Sequence, residues 1–208
     1  MFKQALPFLF AACLAWPGWS VPLILSDNLA TPVGGSIAVT LTTWQAQQFS
    51  TDFRSGILQQ VVLNVSQSLP GDTVLDIYAS VANEPGASPL GSLVSTGGYG
   101  SSLSPITYTG SLALTANTAY FAVLRATSGQ FAWGYADNNI QFGVGASRRW
   151  ASSTDSGANW SGATTEPYQM RATLEVAAVP ELQGMGAPLA LSLMAGMLLT
   201  ASSRRRAV

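Results

Sequence analysis

Residues 74–81 read Val74-Leu75-Asp76-Ile77-Tyr78-Ala79-Ser80-Val81. Leu75, Ile77, Ala79 and Val81 alternate with Val74, Asp76, Tyr78 and Ser80. Successive side chains of a strand point to opposite faces, so this stretch predicts a half-buried β-strand with Leu75, Ile77, Ala79 and Val81 inward. The same kind of signal recurs in both directions. Upstream lie 36–41 (SIAVTL), 46–50 (AQQFS) and 57–65 (ILQQVVLNV), the last separated from 74–81 by the turn Leu69-Pro70-Gly71-Asp72. Downstream lie 106–109 (ITYT), 119–125 (AYFAVLR), 130–135 (QFAWGY) and 169–176 (QMRATLEV). The 119–125 and 130–135 stretches predict a hairpin across Thr127-Ser128-Gly129, and the Pro and Gly content of 83–89 (NEPGASP) predicts a loop. No amphipathic helix intervenes and no repeat of fixed period is present. Together these predict an all-β body over 26–176, an antiparallel β-sandwich or jelly roll.

Composition narrows the chemistry. Charged residues make up 9% of the 208, against roughly 25% in an average soluble domain. Lys3 and Arg204, Arg205 and Arg206 sit at the two ends, which leaves the body mildly acidic. Nucleic acid is therefore not an expected partner, because phosphate binding needs a concentrated basic surface. The chain has one cysteine, Cys13, and no histidine. That excludes an internal disulfide framework, zinc sites built on Cys or His, and nucleophile pairs that depend on histidine.

The two ends carry addressing patterns. Lys3 precedes an apolar core at 5–15 (ALPFLFAACLA), the layout of a secretory signal over 1–20, with cleavage after Ser20 or after Ala15. At the other end Val179-Pro180-Glu181 leads into the uncharged run 185–201 (MGAPLALSLMAGMLLTA), closed by Arg204-Arg205-Arg206. As a helix this run would cover about 25 Å at ~1.5 Å per residue, a little short of the ~30 Å hydrocarbon core. Its arginines are a stop that keeps that end cytoplasmic and leaves the body outside. The expected architecture is thus a β body flanked by an N-terminal signal helix and a C-terminal transmembrane helix.

The order Val179-Pro180-Glu181, apolar helix, arginine cluster over 179–208 resembles the PEP-CTERM sorting signal of Gram-negative bacteria, with Leu182 where the second proline of that motif would stand. The resemblance implies an exosortase-type membrane protease as a partner that removes the tail. It implies a place in the cell envelope, at the cell surface or in the extracellular matrix, with a membrane anchor before processing. The body carries a second resemblance. Residues 46–51 (AQQFST), 74–78 (VLDIY), 114–120 (LTANTAY) and Trp133-Gly134-Tyr135 look like choice-of-anchor domains of type R, extracellular β-domains of bacteria. That resemblance implies fold and location and supplies no catalytic residue.

Candidate chemistry is sparse. Residues 153–160 (STDSGANW) resemble the Asp-box of sialidases, a hairpin-turn device in which Asp155 accepts backbone N–H groups and Gly157 takes a positive φ. Trp44, Trp133, Tyr135, Trp150 and Trp160 are either core and turn packing or a stacking face for sugar rings. The glycan-contact candidates are Trp133, Tyr135 and Trp150, with exopolysaccharide as the ligand. Asp72, Asp76, Asp137, Asp155 and Glu166 are available for glycoside hydrolysis, but no spacing singles out the required pair. Asp137-Asn138-Asn139 reads either as calcium-ligating oxygens or as turn formers. No catalytic residue, cofactor or metal site is assigned. The sequence therefore predicts an exported, non-enzymatic surface or matrix protein, with a carbohydrate-binding module as the alternative.

Overall fold

The strand β4 (Gly56–Leu69) organises the molecule because it pairs along its length with three others. The computed structural model describes residues 20–176, so the expected signal segment, sorting motif, apolar run and arginine stop lie outside the described residues. Within them the chain is all-β and antiparallel: β1 (Val21–Asp27), β2 (Val33–Val39), β3 (Trp44–Ser50), β4, β5 (Thr73–Val81), β6 (Glu84–Ser95), β7 (Ser104–Leu114), β8 (Ala119–Ala126), β9 (Gln130–Ala136), β10 (Ala146–Ser153), β11 (Ser161–Ala163) and β12 (Met170–Val176). One half of the sheet runs β1-β12-β4-β7, with β9 and β2 continuing from the far end of β4. The other half runs β6-β5-β8-β3-β10-β11. The halves meet at two residue pairs, Val94 with Thr109 and Ser95 with Tyr108, so the sheet curls into a sandwich-like body.

Sequence explains why β4 can serve both halves of its length. Leu58 faces the core, and so do Val61, Leu63 and Val65, which have the opposite parity. The phase change is absorbed by a bulge at Gln59, where Leu58 and Gln60 of β4 stand opposite the consecutive residues Leu174 and Thr173 of β12. Leu58, Val61 and Leu63 then pack with Leu75, Ile77, Leu93, Tyr108, Leu124, Phe131 and Leu174 in one apolar core. Each such fully buried Leu, Ile or Phe contributes roughly 1.5–3 kcal/mol, which lets a body without cysteine hold together.

Three expectations are corrected. Strands β8 and β9 do not form a hairpin: β8 pairs with β3 and β5, while β9 pairs with β2 and β4. Thr127-Ser128-Gly129 instead arches between the two halves, beside the oppositely directed arch of Leu69-Pro70-Gly71-Asp72. The Thr127 N–H donates to the Asp72 carbonyl at 2.8 Å and the Asp72 N–H to Ser128 Oγ at 3.0 Å. Gly129 holds φ +72° there, and a Cβ on it would lie 2.5 Å from the Pro70 carbonyl oxygen. The turn chemistry alone permits a hairpin; the apolar character of both faces of β8 decides otherwise. Tyr120, Ala122 and Leu124 face the main core, and Phe121 and Val123 a second cluster, so β8 takes a central place.

The second correction concerns β5. Leu75 and Ile77 are buried as expected, but Ala79 is half-buried and Val81 is 61% exposed, while Asp76 and Tyr78 are buried. Tyr78 joins Phe121 and Val123 in the second cluster, and Asp76 pairs with Arg125 and accepts from Ser92 Oγ. A strand with two buried faces does not show a clean alternation. Third, 83–89 is not a loop. Ala82 and Asn83, at φ +50° and +68°, form a tight two-residue turn of the primed kind that suits hairpins. Strand β6 begins at once with Glu84 opposite Val81. Its Pro85 and Pro89 are tolerated because β7 pairs only with Val94 and Ser95 of β6. The structure also adds β1, β10 and β11, and β1 starts ahead of the expected boundary at Ser26.

Candidate functional site

Of the three aromatic residues singled out in the sequence, the structure brings two to one cleft and buries the third behind it. Tyr135 on β9 and Trp150 on β10, both half-buried, line a cavity of about 200 Å³ together with Ile37, Gln45, Ser152, Glu166 and Tyr168. Trp133 has no exposed surface, and its indole N–H donates to the Gln169 carbonyl at 2.9 Å. It is a core residue and cannot present a face to a sugar. Its ring stacks on Tyr168 at 4.8 Å between centroids, and Tyr168 meets Trp150 edge-on at 5.8 Å. The buried indole thus backs the wall that Tyr168 and Trp150 present.

Each wall residue is set by local sequence. Tyr135 is seated over a strip without side chains: it pairs with Gly35 in the β2–β9 register, and a Cβ on Gly35 would overlap the Tyr135 phenol. Tyr168 is bridged to Tyr135 across the backbone. Strand β3 holds Tyr168 with two buried glutamines. The Tyr168 N–H donates to Gln47 Oε1 at 2.9 Å, and its hydroxyl donates to Gln45 Oε1 at 2.7 Å. Burial raises the pKa of the Tyr168 phenol well above the ordinary tyrosine value, and the neighbouring Tyr135 adds to the rise. The hydroxyl therefore stays protonated and keeps donating to Gln45. Gln45 Nε2 is itself committed to the Ala38 carbonyl at 3.0 Å.

The last wall residue, Glu166, is held by its backbone. The Trp150 indole N–H donates to the Thr165 carbonyl at 2.6 Å, and the Glu166 N–H donates to Asn139 Oδ1 at 2.9 Å. Glu166 sits at φ +51° immediately before Pro167. A side chain in that region is costly, and a following proline restricts the backbone further. Neither an ion pair nor a side-chain hydrogen bond engages the Glu166 carboxylate among the described residues. It is the one charged side chain lining the cleft.

The other sequence candidates have structural duties. Asp155 lies in the turn between β10 and β11 and accepts from Ser153 Oγ, the Asn159 N–H and Asn159 Nδ2 at 2.7, 2.9 and 2.6 Å. The Asn159 and Ser153 side chains lead in lowering its pKa to about 2. Gly157 takes φ +84° under Trp44. Trp44 and Trp160 pack on Ala46, Tyr78, Phe121, Val123 and Ala151, away from the cleft. Asn138 Oδ1 accepts the Ile140 N–H as a turn former, whereas Asn139 Oδ1 accepts the Glu166 N–H from a segment distant in sequence. Among the described residues no three Asp, Glu, His or Cys side chains gather as metal ligands.

Sequence reading reached Tyr135 and Trp150 through their ring type. It missed Gln45, Ser152 and Tyr168, which only the strand pairing brings together, and it considered Glu166 solely as half of a hydrolytic pair. No family model matches the chain, and no curated protein matches it.

Proposed function

We propose that this chain is an exported bacterial cell-surface or extracellular-matrix protein, sorted through its C-terminal tail, whose β body is a non-enzymatic carbohydrate-binding module. The observation that carries the binding reading is the convergence of Tyr135, Trp150 and Tyr168 on one cleft with Glu166, Ser152 and Gln45 at its walls. Apolar rings with a few convergent polar groups are the usual make-up of a small-molecule site, and flat rings pack on the C–H faces of pyranoses. Glycoside hydrolysis needs two carboxyl groups across the scissile bond, whereas Glu166 is the sole carboxylate lining this cleft, which favours binding over turnover. The export reading is supported by the signal-like 1–20, by Val179-Pro180-Glu181, and by the apolar run closed by Arg204-Arg205-Arg206. On this account an exosortase-type protease and exopolysaccharide are the partners.

Two measurements test the two halves of the proposal. Intact mass and cell fraction of the native protein from its host should show a chain lacking both ends, at the surface or in the matrix. A chain that keeps residues 185–208 in the inner membrane would refute the sorting reading. Pull-down on host exopolysaccharide should retain the protein and lose it on Trp150→Ala. Equal retention of parent and variant would refute the cleft.

A further inference from the structure

The cleft has a sign as well as a shape. Its lining contains one carboxylate and no arginine or lysine. The polar groups deepest in it are already satisfied by each other, since the Tyr168 hydroxyl donates to Gln45 and Gln45 donates to the Ala38 carbonyl. What remains for a ligand is the Glu166 carboxylate and the Tyr135 hydroxyl, set among three aromatic rings, while the Ser152 hydroxyl is shared with Ser161 Oγ at 3.4 Å. Aromatic rings attract cations through their quadrupole, and a carboxylate hydrogen-bonded by an ammonium gives a charge-assisted contact. The surrounding body adds to the bias, with nine carboxylates against five arginines between residues 20 and 176.

The backbone at Glu166 points the same way. Glycine would satisfy φ +51° without strain, and asparagine nearly so. The turn itself therefore gives no reason for glutamate. Two hydrogen bonds, from the Glu166 N–H to Asn139 Oδ1 and from the Trp150 indole to the adjoining Thr165 carbonyl, fix this backbone at the cleft regardless.

We propose that the cleft selects a sugar carrying a free, protonated amine, a glucosamine-type residue, with its ammonium against the Glu166 carboxylate and its ring among Tyr135, Trp150 and Tyr168. The inference rests on the carbohydrate-binding reading above and specifies its ligand. An N-acetylated sugar lacks the charge, a neutral hexose lacks the nitrogen, and a uronic acid meets Glu166 with like charge.

Titration calorimetry of the full chain with four oligosaccharides tests this: fully deacetylated glucosamine oligomer, its N-acetylated counterpart, a glucose oligomer and a glucuronate oligomer. The expected order puts glucosamine first by roughly threefold, the size of an ion pair at an exposed carboxylate such as Glu166, and glucuronate last. Glu166→Gln should bring the glucosamine oligomer down to the level of the N-acetylated one, a loss larger than any change it makes to the neutral sugars. Glu166→Gly should lose the preference in the same way while melting no lower than the parent, because it relieves the positive φ. Equal affinity for the glucosamine, N-acetylated and glucose oligomers, unchanged by either variant, would overturn the amine selectivity and leave carbohydrate binding standing. Binding of none of the four would overturn both.

Discussion

Trp133→Phe separates a core tryptophan from a ligand-stacking one. The parent indole is fully buried, donates to the Gln169 carbonyl at 2.9 Å and stacks on Tyr168 with the planes 21° apart. Phenylalanine keeps a ring for Tyr168 to pack on, but it removes the N–H and part of the fused system. The lost hydrogen bond costs about 1 kcal/mol. The Gln169 carbonyl is not stranded by the change, since the Asn64 N–H also donates to it at 3.3 Å. The unfilled volume adds about 1–2 kcal/mol, scaled down from the ~3–5 kcal/mol of a full Trp→Ala truncation. The sum, about 2–3 kcal/mol, lowers the melting temperature by about 4–12 °C in a body of this size. Melting followed by circular dichroism reads the stability, and calorimetric titration well below the transition reads oligosaccharide affinity. The expected outcome is a clear drop in melting temperature with unchanged affinity. Trp150→Ala should do the opposite, losing about tenfold or more in affinity as a contact residue. A Trp133→Phe protein that melts like the parent yet binds more weakly would refute the placement of this indole.

Other expectations follow from the same geometry. Gly129→Ala forces a left-handed residue, costing roughly 1–2 kcal/mol, and sets a methyl 2.5 Å from the Pro70 oxygen. Urea unfolding should therefore show a larger loss than the φ term alone, and near-parental stability would contradict the paired arches. Asp155 is held at about 2, below the ordinary 3.8, chiefly by the Asn159 and Ser153 side chains. Its contribution to the β10–β11 turn is complete above 3.8 and fades as pH falls toward 2. An NMR titration of the Asn159 amide should report that low midpoint, and a midpoint near 3.8 would be inconsistent with the turn. Burial raises the pKa of both Tyr108 and Tyr168 above 10, so each favours the folded state fully below pH 10 and opposes ionisation above it. Urea midpoints should fall as pH rises past 10, less steeply in a Tyr108→Phe background.

The fold class was legible because period-2 patterning and turn residues are local signals. Residues 57–65 and 119–125 announced strands without knowledge of their partners. Pairing was not legible, because partner choice is settled by burial on both faces. Thr127-Ser128-Gly129 has hairpin chemistry, yet it arches between sheet halves because Phe121 and Val123 need cover as much as Tyr120 and Leu124 do. The clean alternation expected for 74–81 failed for the same reason, with Asp76 buried through its contacts with Arg125 and Ser92. At the cleft, ring type led equally to Tyr135 and Trp150, which line it, and to Trp133, which is buried behind it, since an indole in a sequence does not reveal which side of a sheet it occupies. Gln47 fell inside the expected strand 46–50 and Gln45 just ahead of it, with no sign of a partner; the regular alternation of β3 turns both to one face, where they support Tyr168. In this way Gln47 Nε2 reaches the Ser147 and Arg149 carbonyls while its Oε1 holds the Tyr168 N–H.

Chemical-shift mapping of the nitrogen-15-labelled protein with a glucosamine oligomer tests the cleft most directly, because the indole N–H groups of Trp44, Trp133, Trp150 and Trp160 report separate regions. The Trp150 indole and the backbone amides of Tyr135 and Glu166 should move, with the Trp44 and Trp160 indoles still. Movement confined to Trp44 and Trp160, or none at any position, would contradict that expectation.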